Sequence, residues 1–310
     1  QICVAVFPFP MALTSVHAVT QGLFVLVQTR ACRPKAPLPL LIDCWIAVLT
    51  VGCIYLTNVS LRINSVDMYQ IFKLLNIPTM CVLQYALQGK KHSLAVYLSL
   101  VVLTAGVAAS TVAEFKLGLT ALGLAAGIAG VLVTVIDQME VGRLKGKHEV
   151  DAVAFLHSNM YHRMAFGAMV VVTTEFDAVA TAPGMPAAAW IGLGVSCLLA
   201  VAINLTQIFI IGKFGPLTMN VVGHVKTMTI MAIGIAWTKP EFDLQLARKV
   251  AGVAVAMTGA MKYGQLTSMP DFSLLNACAK ILPCLPASSS DGESKSDIGI
   301  KLQKGSIGKC

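Results

Sequence analysis

The stretch 217–238 reads LTMNVVGHVKTMTIMAIGIAWT, an apolar run with a single lysine, Lys226, near its middle. About 20 predominantly apolar residues are what an α-helix needs to cross the hydrocarbon layer of a bilayer. Eight further runs of the same character lie at approximately 11–28, 41–61, 67–87, 94–113, 117–136, 152–172, 187–211 and 250–266. A transmembrane β-barrel would instead alternate polar and apolar residues in segments of roughly ten. These runs are continuous and rich in Ala, Leu, Val and Gly, so the chain is an all-α integral membrane protein. The whole sequence agrees: of 310 residues, 56% are hydrophobic and only 12% charged, with a mean hydropathy of +0.75.

Small residues recur at close-approach spacing, as at Gly106 and Ser110 and at Gly123 and Gly127, which lets helix backbones meet. The net charge of +8 is spread over short loops and the tail rather than gathered in a patch, so no nucleic-acid partner is expected. The nine cysteines contain no CxxC and no Cys/His spacing of a zinc site, so neither metal nor cofactor is expected. No nucleophile and base pair and no phosphate loop points to an enzyme.

If the runs alternate in direction, Arg30, Arg33, Lys35, Lys90, Lys91, Arg143, Lys145, Lys147, Lys213 and the C-terminal tail share one side. The excess of basic residues assigns that side to the cytosol. The opposite loops hold Arg62, Lys116, Lys239, Arg248 and Lys249, and an acidic pair, Glu175 and Asp177. Residues 1–266 are read as the transporting domain, with one half to about 136 and the other from about 152. Residues 267–310 are read as a disordered cytosolic tail, polar and rich in Ser, Gly and Lys, ending in Cys310 without a prenylation box.

Three basic residues lie well inside the runs: Lys73, Arg163 and Lys226. A charge at the centre of a membrane helix costs roughly 2.5–3.5 kcal/mol on insertion scales, and an acidic partner would offset it. The runs contain no Asp or Glu in their interiors, since Asp67 and Glu114 stand at their edges. A water-filled cavity with an anionic ligand meets the same need. Lys226 is too deep to snorkel; Lys73 is shallower, so either ligand binding or snorkelling suits it. Arg163 suits a ligand, the headgroups or a carbonyl.

Asn220, His224 and Thr227 stand at i, i+4 and i+7 around Lys226, one face of a helix, with Gly223 leaving space. An ammonium beside hydroxyl and imidazole donors suits phosphate oxygens. Tyr69 shares a face with Lys73 and suits either stacking on a base or sugar or anchoring at the interface. The run from 152 opens with His157, Ser158 and Asn159 and continues Tyr161, His162 and Arg163. Asn159 suits reading a base edge or bonding to a neighbouring helix. A short echo relates the two halves: Leu56-Thr57-Asn58 precedes the run with Lys73, and Leu205-Thr206-Gln207 precedes the run with Lys226.

From about Phe7 to Leu266 the chain resembles the triose-phosphate translocator and nucleotide-sugar transporter family of the drug/metabolite transporter superfamily. The resemblance rests on Thr57-Asn58-Val59-Ser60-Leu61 leading into Asn64-Ser65-Val66, on Tyr69-Gln70-Ile71-Phe72-Lys73 with Pro78, and on Gly130-Val131-Leu132-Val133-Thr134. It rests above all on Gly223-His224-Val225-Lys226-Thr227, similar to the motif of the Lys-Thr subgroup, whose plant members carry UDP-sugars. It implies ten helices in two inverted sets of five, and an antiporter that exchanges nucleotide sugar for nucleoside monophosphate by alternating access, usually in the Golgi, with the endoplasmic reticulum or a plastid envelope as alternatives. It implies that Lys226 contacts phosphate. The nine runs then correspond to family helices two to ten, the first being missing or reduced to a stub at 1–7. Relatives tend to have Tyr-Tyr-Gln then Ala-Pro where this chain has His157-Ser158-Asn159-Met160-Tyr161, and Arg163 is unusual among them.

The rival within transport is a triose-phosphate or phosphoenolpyruvate/phosphate translocator, whose relatives carry Lys-Arg where this chain has Lys226-Thr227. The rival outside it is a non-transporting membrane scaffold, against which the mid-helix lysines speak. The sequence leaves sugar, base and oligomeric state open, a homodimer included.

Overall fold

The structure is a computed structural model and describes residues 9–31, 38–111, 120–180, 187–238 and 243–267. Within them the chain forms α1 (Pro10–Ala31), α2 (Leu40–Ile63), α3 (Val66–Gln88), α4 (Leu94–Thr111), α5 (Ala121–His148), α6 (Ala152–Thr174), α7 (Phe176–Ala180), α8 (Ala187–Phe214), α9 (Pro216–Thr238) and α10 (Leu244–Leu266). All but the short α7 correspond to the nine expected runs. The expected stub at 1–7, the loop with Glu114 and Lys116, and the tail from 268 lie outside the described residues. Six of the long helices are apolar enough to cross a membrane by composition. The three more polar ones, α3, α6 and α10, are each 23 residues long, and two of them carry Lys73 and Arg163.

Helix starts follow local chemistry. Ser65, Thr120, Asp151 and Asp243 each accept a hydrogen bond at the N-cap from the backbone N–H three residues on, so an orphan donor of the first turn is satisfied. The start of α1 is capped from afar: Glu175, at the α6–α7 junction, accepts from the backbone N–H groups of Met11 at 3.1 Å and Ala12 at 2.9 Å. The acidic loop of the sequence thus ties the second half to the first helix. At the other end of α3, Gly89 takes the left-handed conformation (φ 63°), and Lys90 N–H returns to Gln84 O at 3.1 Å.

Two elements differ from expectation. Helix α5 runs on past 136 to His148, because Asp137 and Glu140 are accommodated inside it rather than ending it. Helix α10 starts at Leu244 rather than 250, capped by Asp243, so Arg248 and Lys249 belong to its first turns.

The helix contacts follow a two-fold pattern. Helix α1 lies on α6, α3 on α9 and α4 on α10; α2 meets α6 as α8 meets α1, and α3 meets α4 as α9 meets α10. One correspondence covers all of these, mapping α1, α2, α3 and α4 onto α6, α8, α9 and α10. Successive spanning helices alternate in direction, so the two sets are inverted. Helix α5 has no counterpart among the described residues. Side chains fill two main apolar clusters: one joins α1, α2, α5, α6 and α8 around Ile46, Phe155 and Ile208, and the other joins α3, α4, α5, α9 and α10 around Met80, Leu103 and Met228.

The contact between α4 and α10 is backbone against backbone. A Cβ at Gly106 would strike the backbone of Ala256, one at Gly252 that of Ser110, and one at Gly259 that of Leu103. Gly123 and Gly127 instead make room for side chains, those of Asn64 and Phe72. Without a hydrophobic drive between helices in lipid, such close approach is a main source of association. Leucine at Gly106 or Gly252 is therefore expected to destabilise the protein by about 1–3 kcal/mol or more, as overpacking does, seen as a lower unfolding temperature in detergent. Gly234→Ala, with nothing within 4 Å of the added carbon, should leave stability unchanged or slightly raised.

Candidate functional site

Helices α8 and α9 are joined by Gly215 at φ 91° followed by Pro216 in the first turn of α9. Proline there loses no hydrogen bond, since the first N–H groups of a helix have no partner. This sharp reversal sets α9 against α3, its counterpart in the first half. Lys73 of α3 and Lys226 of α9 consequently come within electrostatic reach of each other, and His224 lies within reach of Lys73. Both lysines are exposed, and among the described residues neither forms an ion pair with a carboxylate. Two like charges held together inside a membrane protein repel unless an anion or water lies between them.

The Lys73 ammonium stands 5.7 Å from the centre of the Tyr69 ring, a cation–π contact. Tyr69, Phe72, Lys73 and Asn76 of α3 line a cleft with Thr57 of α2 and Thr134 of α5, about 280 Å³ in volume. On α9, a methyl group added at Gly223 would have nothing within 4 Å, so open space lies one turn from Lys226. The Thr227 hydroxyl donates to Gly223 O at 3.1 Å. His224 is buried.

Asn220 is buried and committed: its amide donates to Gln138 Oε1 at 2.8 Å and to Pro216 O at 3.2 Å. It joins α9 to α5. Asn159 is fully buried at 0% exposure, and neither atom of its amide has a hydrogen-bond partner among the described residues. Its neighbour Ser158 is bound on both sides, donating to Asp43 Oδ2 at 2.5 Å and accepting from Leu38 N–H at 2.8 Å, which ties α6 to the start of α2.

Arg163 departs from the expectation of a charge without a protein partner. It lies within electrostatic reach of Asp137 on α5 and of Cys53 on α2. Asp137 is buried and accepts from Thr50 Oγ1 at 2.7 Å, and Cys53 bonds to Thr134 at 3.0 Å. The fifth apolar run, ending at about 136, stops just short of Asp137, which is why hydropathy alone does not find it. A signal is nevertheless present: Val131, Val135 and Met139, at i, i+4 and i+8, form a buried stripe that crosses Asp137 without a break. Gln138, the partner of Asn220, lies beyond the same boundary. The structure thus joins Tyr69, Lys73, His224 and Lys226 in one group and links Arg163 to Asp137 beside it, while Asn220 holds helices together.

The chain matches no defined protein-family profile. It is 30% identical over 263 residues to UDP-rhamnose/UDP-galactose transporter 1 of Arabidopsis thaliana, covering 83% of this chain and 74% of that protein. UDP-xylose transporter 3 of the same plant is 28% identical over 242 residues, 76% of this chain and 66% of its own. The plant's GDP-mannose transporter GONST5 is 23% identical over 280 residues, 85% and 78% of the two chains. A protein of known crystal structure superposes with a TM-score of 0.66 at 14% identity, over 81% of this chain and 89% of its own, so the two share a fold.

The bond between Asn220 and Gln138 makes a direct test of what Asn220 does. Asn220→Ala and Gln138→Ala should each lower ligand-free stability, with a coupling in the double mutant of about 0.5–1.5 kcal/mol, the range of membrane interhelical hydrogen bonds. Unchanged ligand-free stability together with a reduced ligand-induced thermal shift would instead assign Asn220 to the ligand.

Proposed function

Because the chain belongs to the nucleotide-sugar transporter family of the drug/metabolite transporter superfamily, we propose that it carries a nucleotide sugar, of the UDP class, across a Golgi membrane in exchange for a nucleoside monophosphate. The observation that carries this reading is the approach of Lys73 and Lys226, one from each inverted half, with no carboxylate paired to either among the described residues. A diphosphate between them would neutralise both at once. Its charge would be met in a region where isolated cations are expensive, and charge-assisted contacts to phosphate are the strong ones. Tyr69, beside Lys73 in the cleft with Phe72, offers a ring face on which a base or sugar can lie. His224 would add a neutral donor, whereas the Thr227 hydroxyl is committed to Gly223 O.

In this reading transport is a change in which end of the site is open. The anion brings the two cationic helices together, and the halves rock about their shared contacts. The net +8 charge biased toward one set of loops supports placing the C-terminal tail and the loop of Arg143 to Lys147 in the cytosol. The relatives' names support UDP-sugars over GDP-sugars by degree of identity.

Two measurements test the proposal. In proteoliposomes preloaded with UMP, the protein should take up UDP-sugars by counterflow, and failure with every nucleotide sugar and monophosphate tried would overturn it. Lys226→Gln keeps a donor and most of the stem but removes the charge. Charge-assisted hydrogen bonds contribute roughly 1.5–3 kcal/mol, so UMP and UDP-sugar affinity should fall by about tenfold to a hundredfold. Without ligand the variant should be as stable as the wild type or more so, since a repelling charge is gone. Full ligand-dependent thermal stabilisation in Lys226→Gln would remove Lys226 from the site.

A further inference from the structure

Where α9 ends and α10 begins, the two helices stand apart around a cleft of about 900 Å³. Part of the reason lies on the other side of α10, whose small residues are committed to α4. A Cβ at Gly252 or Gly259 would strike the α4 backbone, and Ala256 fills the space left by Gly106. Held there, α10 leaves room beside α9, and a Cβ at Gly234 of α9 has nothing within 4 Å.

The cleft changes character along its length. Its apolar walls are Met231, Gly234 and Ile235 of α9 and Leu246 of α10, whereas Thr238, Asp243 and Lys249 bring polar groups to it. At a rise of 1.5 Å per residue, Gly234 lies about 6 Å and Met231 about 10 Å inside the end of α9 at Thr238. Two large apolar residues flank the mouth on the outer surface, Trp237 at 86% exposure and Leu244 at 87%. A tryptophan exposed at the end of a spanning helix stands at the level of the lipid headgroups. The mouth is therefore at that level, and the apolar walls reach down among the acyl chains. Lys249 starts from the second turn of α10, and helix side chains lean toward the N-terminus, which here is the membrane face.

Two charges remain for a partner at this mouth. The Thr238 hydroxyl is turned back, donating to Gly234 O at 2.9 Å. Asp243 caps α10 with Oδ1, accepting from Leu246 N–H at 2.6 Å, and keeps its second oxygen. Asp243 and Lys249 line one cleft, yet among the described residues neither forms an ion pair. A cation and an anion held apart above an apolar slot complement a molecule that has an apolar chain, a phosphate and a cationic amine.

We propose that this cleft seats one zwitterionic membrane phospholipid. An acyl chain lies along Met231, Gly234 and Ile235, the phosphate rests on Lys249, and the amine of the headgroup meets Asp243. The lipid fills the contact that α10 does not make with α9, the helix that carries Lys226.

The test titrates the purified full chain in detergent with dioleoyl phosphatidylcholine, dioleoyl phosphatidylglycerol and dioleoylglycerol, and counts bound lipid by native mass spectrometry. In the wild type, phosphatidylcholine should bind about fivefold more tightly than phosphatidylglycerol, which keeps the phosphate and lacks the amine, and dioleoylglycerol should bind most weakly. Fivefold is the weight of about one charge at the membrane surface. Gly234→Leu fills the open space and should abolish this binding for all three lipids. Lys249→Gln should weaken both phospholipids about fivefold and leave dioleoylglycerol unchanged. Asp243→Asn keeps the helix cap, since Asn caps as well as Asp, and should move the ratio of the two phospholipids about fivefold toward phosphatidylglycerol. A purely structural role for Asp243 would leave that ratio where it was. Binding unchanged in both Gly234→Leu and Lys249→Gln would mark only the general lipid coat and overturns the seat. A wild type that prefers phosphatidylglycerol, or a ratio unmoved by Asp243→Asn, overturns the zwitterion. No nucleotide enters the measurement, so its failure is separate from failure of the transport reading.

Discussion

A charge inside a bilayer must be met by something, and how each of three cations is met organises this molecule. Arg163 has the buried carboxylate of Asp137 within electrostatic reach. Lys73 and Lys226 form an ion pair with no carboxylate among the described residues and lie within electrostatic reach of one another. The difference separates a cation that has a buried carboxylate within electrostatic reach from two cations that have none paired to them. An empty site of this kind is uncomfortable by construction. Under the proposed function an anion bound there would relieve repulsion as well as add contacts, and only when both halves are close enough for one anion to serve both lysines.

The same constraint explains why the polar helices are where they are. The helices α3 and α6 are less apolar than six of the others, because they carry Tyr69, Gln70 and Lys73 in one case and His157 to Arg163 in the other. Their polarity is tolerable only if it turns inward, against neighbours or a cleft. Helix α6 does so: Ser158 is locked to Asp43 and Leu38, Asn159 is fully buried, and Arg163 lies within electrostatic reach of Asp137.

Much of this is legible in the sequence, and the part that is not shares a physical cause. Spanning runs are a property of consecutive residues, so nine helices can be placed to within a few positions, and a lone lysine in such a run announces itself. Lys73 and Lys226 stand out in this way. Asp137 does not, because it sits where an apolar run gives way to a charged helical extension, and a run read by hydropathy stops at the first carboxylate. Partnerships are harder still. Gln138 with Asn220, Glu175 with the start of α1 and Gly106 with Ala256 each join residues far apart in the chain. Spacing exposes the small residues at Gly106 and Ser110 as a contact surface, but nothing in their neighbourhood names α10 as what they touch.

The glycine-lined seam between α4 and α10 has a consequence for packing in a protein built of two inverted sets. Where backbones touch, no side chain remains between them to change rotamer, so the separation of the helices along that edge is fixed by the backbones themselves. At the opposite edge, where α1 crosses α6, the space beside Gly22 is filled by the thioethers of Met160 and Met164, with sulfur atoms 3.6 and 3.2 Å from where a methyl group would sit. Methionine side chains are flexible and refill irregular gaps readily. The bundle is thus joined backbone to backbone along one seam and through adaptable thioethers along the other, and a substitution that adds bulk is absorbed far more readily at the methionine edge than at the glycine seam.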